Sequence, residues 1–221
     1  MPCKPRCIYC TIYIFIFIFM LCFFLFLIII NPSSVKFYVT EATLTQFNLT
    51  SNNTLYYNFK VNITVTNPNK HVIVYYRMIK AIAWYKDNEF DRVSLTPFDQ
   101  GYKNTTFLRA VFVGQSVIML KPKQLGEYKD ETSIGIYNDL AVNFDLRIRA
   151  KFGRIKSRRF SPPFVQCRRL SVPLILMDGK SAPPNSSVTR CNTGNFFQDR
   201  DGFKFDFLKY LCGENCRSFG N

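Results

Sequence analysis

Between Arg147 and Arg169 the chain carries nine lysines and arginines and no acidic residue. Across residues 141–152 the side chains alternate. Val142, Phe144, Leu146, Ile148, Ala150 and Phe152 form one set; Asn143, Asp145, Arg147, Arg149 and Lys151 form the other. A period of two belongs to a strand with one buried and one wet face, so Arg147, Arg149 and Lys151 share an outward face. Gly153-Arg154 suits a tight hairpin turn, across which Lys156 and Arg158 join them. Such a row suits phosphates, carboxylates and uronates, which arginine grips through two parallel hydrogen bonds. The chemistry is anion binding. The plain alternative is an ordinary solvated strand face whose charges discourage edge pairing.

Catalytic chemistry finds little to work with. His71 is the only histidine and follows a turn, as a solvated loop residue does. The cysteine spacings do not make two paired ligand sets for a metal. No glycine loop is built to cradle a phosphate. Cys212-x3-Cys216 has redox spacing, though a structural bridge is the simpler reading. Asp199 and Asp201 lie in a polar stretch rather than in a cleft-forming pattern. The expectation is a protein that is not an enzyme and has no cofactor or catalytic residues.

These residues must be placed by a membrane. Ile8–Ile30 is 23 residues without a charge, roughly 35 Å as a helix at 1.5 Å per residue, against a hydrocarbon core of about 30 Å. The run exceeds a signal-peptide core and ends without a small-residue cleavage pattern, so an uncleaved single-pass anchor is expected, with cleavage as the alternative. Lys4 and Arg6 before it favour a cytosolic N-terminus. Five N-glycosylation matches, at Asn48, Asn52, Asn62, Asn104 and Asn185, all follow the run. Chance gives about two, and the excess supports an extracellular or lumenal side; accidental matches on an Asn/Thr-rich surface are the alternative. The C-terminal domain is expected on the side of the membrane away from the cytosol. Cys3, Cys7 and Cys10 crowd the cytosolic end as candidate palmitoylation sites or as unmodified thiols. Cys167, Cys191, Cys212 and Cys216 lie outside as candidate disulfide cysteines, and three pairings stay open.

Apart from Lys4 and Arg6, the chain has 27 basic and 15 acidic residues, a net of +12. On that side of a membrane the expected partners are anionic: acidic polysaccharide, lipid headgroups or an acidic surface protein, and not nucleic acid. Four segments are expected: a tail 1–7, an anchor 8–30, a β domain 31–176 and a loosely ordered, Cys-containing extension 177–221. Within the domain, residues 35–49, 55–66, 72–85, 105–113, 141–152, the return from Ile155 and 164–172 read as strands. The 55–66 segment alternates over twelve residues and is stopped by Asn67-Pro68-Asn69. Asp87-Asn88-Glu89 reads as a turn, 91–104 as a loop, Gly114 as a strand end and 123–129 as a short helix. The fold class is mainly β: one N-terminal transmembrane helix, then an antiparallel, immunoglobulin/fibronectin-III-like β-sandwich of about seven strands. Tyr75, Tyr76, Trp84 and Phe98 read as core and core rim, with a sugar-stacking platform as the alternative.

Several words of the sequence occur together in a known order. They are Phe47-Asn48-Leu49-Thr50, Thr64-Val65-Thr66-Asn67-Pro68-Asn69-Lys70 with Tyr75-Tyr76, Pro97-Phe98-Asp99-Gln100-Gly101-Tyr102-Lys103-Asn104-Thr105-Thr106, and Arg147-Ile148-Arg149-Ala150-Lys151-Phe152-Gly153. Over roughly residues 30–176 the chain resembles the plant harpin-induced-like family, related to the non-race-specific disease resistance protein and carrying a late embryogenesis abundant group 2 domain. The resemblance implies a plasma-membrane protein with a β-sandwich facing the cell wall. It also implies roles in pathogen, drought or desiccation responses, and no catalysis. The chain departs from many relatives in its short N-terminal tail, in Ala150 where tryptophan is common, and in the long stretch after residue 176.

Overall fold

The computed structural model describes residues 5–30, 32–175 and 188–200. The chain divides into two units, Met1–Ser33 and Ser34–Asn221. The first holds α1 (Pro5–Ile30), a 26-residue helix. The side chains described along it are those of Tyr9 and residues 11–24, all exposed. Residues 11–24 make about 21 Å of helix at 1.5 Å per residue. Among the described residues no helix is long and apolar enough to cross a membrane.

The described residues of the second unit form ten strands and one helix: β1 (Lys36–Leu49), β2 (Thr54–Thr66), β3 (Val72–Tyr85), β4 (Asn88–Leu95), β5 (Phe98–Gln100), β6 (Thr105–Val117), α2 (Pro122–Ile134), β7 (Ile136–Phe152), β8 (Ile155–Lys156), β9 (Val165–Pro173) and β10 (Thr189–Arg190). They make two antiparallel sheets. One runs β10-β1-β2-β6; in the other β3 and β7 are central, with β4 and β5 along β3 and β8 and β9 along β7. A bridge between Leu44 and Leu174 ties β1 to β9, so the sheets curl toward one another along that side.

One core lies between them. The alternation read in the sequence is the burial pattern: Leu55, Tyr57, Phe59, Val61, Ile63 and Val65 of β2 face inward, as do Val142, Phe144, Leu146, Ile148 and Ala150 of β7. At one end Phe47 meets Tyr85 and Tyr137 edge-on, with ring centroids 4.9 and 4.7 Å apart. At the other end Phe37 packs between Phe144 and Phe196.

Several expectations are corrected. There are about ten strands rather than seven. Residues 91–104 are no loop, because β4 and β5 take most of that segment by pairing with β3. The turn after β3 is at Lys86-Asp87, both at positive φ. Strand β6 does not stop at Gly114; the glycine sits opposite Tyr57, and a Cβ there would come within 3.3 Å of the tyrosine hydroxyl. The short helix is thirteen residues, because both ends are capped. Lys121 N donates to Gln124 Oε1, and Gly135, at φ 76°, donates to Glu131 O. The stretch after 176 is not loose throughout: β10 pairs with β1, and Phe196 is fully buried.

The Asn-Pro-Asn and Pro-Phe-Asp-Gln-Gly words form one buried polar knot. Asn67 Nδ2 donates to Val72 O and Gly101 O. Gln100 Nε2 donates to Val65 O and Asn104 O, and its Oε1 accepts from the Tyr76 hydroxyl. The knot holds the β2–β3 and β5–β6 connections together. Gln100→Leu strands those partners, at about 1–3 kcal/mol for each buried group left unpaired. We expect a loss of about 3 kcal/mol by the same reasoning, read as a lower urea midpoint at unchanged slope. Trp84, the only tryptophan, reports it by fluorescence.

Candidate anion-binding face

Strand β7 sets the basic residues. Its inward side chains are locked in the core, so Arg147, Arg149 and Lys151 must point outward from the β3–β7 sheet. In register they stand opposite Met78, Tyr75 and Ile73 of β3. Arg149 is fixed: its Nε donates to Ser157 O at 2.7 Å, while the buried Ser157 hydroxyl accepts from Ala150 N. Lys156 does join the row, directly opposite Lys151. Arg158 is exposed but lies beyond the end of β8, so the hairpin does not carry it into register.

Farther along the same face the charges are matched. Arg77 lies 3.4 Å from Asp99 and 5.1 Å over the Tyr75 ring, and Arg200 lies 3.1 Å from Asp145. Arg147, Arg149, Lys151 and Lys156 make one basic group on this sheet, and Arg168 and Arg169 of β9 are exposed on it as well. This surface is flat. A shallow depression of about 340 Å³ lies on the other sheet, lined by Glu41, Lys60, Asn62, Arg109 and neighbours, and its charge is mixed. A flat basic surface fits an extended or surface-borne anion better than a small molecule, which needs an enclosing cleft.

The glycosylation candidates are on the opposite sheet. Asn48 is exposed on β1, Asn52 in the β1–β2 turn, and Asn104 just before β6. Asn62 stands outward on β2, its Nδ2 donating to Glu41 Oε2 at 2.8 Å. Asn185 lies outside the described residues. One disulfide joins Cys167 to Cys191; Cys212, Cys216 and Cys3 lie outside the described residues. Cys7 and Cys10 fall in the first turns of α1. Of the aromatic residues, Tyr76 is in the core and stacks on Phe98 at 4.3 Å, whereas Tyr75 and Trp84 face outward.

His71 is exposed. Among the described residues no three metal-binding side chains come together. The groups with shifted protonation all move away from neutrality. Burial and, secondarily, Asp91 push the Tyr57 hydroxyl up to about 12. Burial raises Tyr76, Tyr85 and Tyr137. Lys86 opposes its own burial through hydrogen bonds to Glu127 and Glu131 and ends raised; its hydrogen bond holds Glu127 below the usual carboxylate range. A general acid or base needs the opposite shift, toward the working pH.

That Lys86 cluster is the feature sequence reading missed. Lys86 Nζ meets Glu127 Oε2 at 2.7 Å and Glu131 Oε1 at 3.0 Å, with the lysine side chain only 4% exposed. The Tyr85 hydroxyl donates to Glu131 Oε2, and Gln124 Nε2 to Lys86 O. It fastens α2 to the β3–β4 turn. A turn lysine and two helix acids more than forty positions away give no local signal.

The chain is 39% identical over 168 residues to NDR1/HIN1-like protein 10 of Arabidopsis thaliana, covering 76% of this chain and 73% of that protein. It belongs to the NDR1/HIN1-like family. NDR1/HIN1-like proteins 2 and 3 of the same plant are 36% and 38% identical, each over 66% of this chain. The chain spans 60% and 63% of those two relatives, just under two thirds of their length. No family model matches it. A solved protein from Archaeoglobus fulgidus is similar at 13% identity and a TM-score of 0.29, over 66% of this chain and 99% of that one. Two of the words that carried the family resemblance, Asn-Pro-Asn and Pro-Phe-Asp-Gln-Gly, are the polar knot of the NDR1/HIN1-like fold described above.

Proposed function

We propose that this is a non-enzymatic plant defence or stress protein, anchored in the plasma membrane by Ile8–Ile30 and presenting its β domain outside the cell. The observation that carries the reading is the division of labour between the sheets. The basic row Arg147, Arg149 and Lys151 lies on the β3–β7 face, and four glycosylation candidates lie on the β1–β2–β6 sheet or its turns. Glycans on one side leave the basic side free for an anionic partner. Membership of the NDR1/HIN1-like family supports the defence or stress role, and the uncharged run and its helical form in α1 support the anchor. A tag after Asn221 tests it in intact plant cells. We expect labelling by impermeant external reagents and a mobility shift on glycosidase treatment. Labelling only after permeabilisation, with no shift, would refute the reading.

The outward row of Arg147, Arg149 and Lys151 favours a second, compatible reading. The domain holds acidic polysaccharide or lipid headgroups, as desiccation-linked members of a late embryogenesis abundant group 2 domain would. Neutralising Arg147, Arg149 and Lys151 to glutamine is expected to weaken binding about a hundredfold, at about 1 kcal/mol for each charge near an anionic surface. Cosedimentation with polygalacturonate and with phosphatidylserine vesicles separates the two ligands. Binding unaffected by 150 mM salt would count against this reading.

A further inference from the structure

Strand β6 ends its sheet, yet its outward face carries several exposed apolar side chains, with Arg109 between Phe107 and Val111. Phe107 is 79% exposed, Val111 40% and Val113 60%. Exposed apolar side chains on an edge strand invite aggregation. Asn62 of β2 stands beside them. It is opposite Arg109, while its neighbours Thr64 and Lys60 are opposite Phe107 and Val111. Phe107 and Val111 are thus the two diagonal neighbours of Asn62, within reach of a long substituent. One hydrogen of the Asn62 amide points to Glu41 on the β1 side. The trigonal nitrogen keeps its other substituent free of that hydrogen bond.

We propose that Phe107 and Val111 are the seat of an N-glycan carried by Asn62. The first N-acetylglucosamine presents a face of C–H groups that packs on the Phe107 ring, while its amide linkage keeps one hydrogen for Glu41. The covered stripe is then no liability, and the glycan becomes part of the fold of this sheet. The inference rests on the reading that the domain faces a glycosylating compartment.

The test uses the full chain made in a eukaryotic secretory host and purified in detergent, with site occupancy read by mass spectrometry. Asn62→Gln should remove one glycan and lower the Tm by about 2–4 °C, but by less than about 1 °C when Phe107→Ser or Val111→Thr is already present. Apolar dye binding should rise with Asn62→Gln alone. If Asn62 is bare while other sequons are occupied, the seat is overturned and the orientation stands. If no sequon is occupied, the orientation itself falls. An equal Tm drop in every background overturns the seat, because the glycan then acts without Phe107 or Val111.

Discussion

Lys86→Met is expected to cost about 3–5 kcal/mol, the loss typical of breaking a buried ion pair from one side. Glu131 would keep only the Tyr85 hydroxyl against its charge, in an interior where its own residue is 7% exposed. Thermal unfolding followed through Trp84 reads the loss, and the double variant Lys86→Met/Glu131→Leu should recover much of it, since apolar replacement of a whole buried pair is often neutral. A single variant as stable as the wild type would mean that α2 is held by its aromatic contacts alone. The pH dependence has a definite sign. Glu127 is lowered in the fold, so its contribution is complete above the ordinary carboxylate value of about 4.3 and is lost as pH falls below it. Lys86 is raised, so its contribution is complete below its ordinary value of about 10.4 and is lost only as pH rises beyond it. The stability gap between wild type and Lys86→Met should narrow at acid pH and again above the lysine value.

Cys191→Ser should destabilise the domain by about 2–5 kcal/mol. The bridge joins residues 24 apart and does more than close a loop. It holds the segment that supplies β10, through Cys191 N donating to Phe37 O, and that delivers Phe196 to the core. Phe196→Ala alone should cost about 3–5 kcal/mol, as large core truncations do. The double variant should cost less than the sum, because either change releases the same segment. Dithiothreitol should move the wild-type midpoint toward that of Cys191→Ser and leave the variant unmoved. A wild type indifferent to reductant would place the stability of this end in packing.

The long strands were legible because burial imposes a period of two that no loop imitates; β2 shows it over its whole length and β7 from Leu140 onward. The flat basic row was legible for the same reason, since Arg147, Arg149 and Lys151 simply occupy the other half of that period. Strands β4 and β5 were hidden by Pro97 and Gly101, whose turn chemistry is real. What the local sequence does not reveal is that β3 offers a long edge on which both sides of that turn can pair. Strands β8 and β10 are two residues each and exist only because a neighbour supplies the ladder. Lys86 escaped notice because its meaning depends on a helix distant in sequence. The choice of Cys191 for Cys167 depends on β9 and β10 meeting, which spacing alone does not determine.

The β1–β10 pairing has a consequence for biosynthesis. Ser34 and Gly194, which are hydrogen-bonded beside it, are 160 residues apart in the chain. At 5–20 residues per second, the outer edge of β1 waits roughly 8–30 s for its last neighbour to leave the ribosome. Throughout that interval a newly made strand stands open to any passing chain, and chaperone capture and thiol oxidation must both be timed to the arrival of the final fifth of the polypeptide.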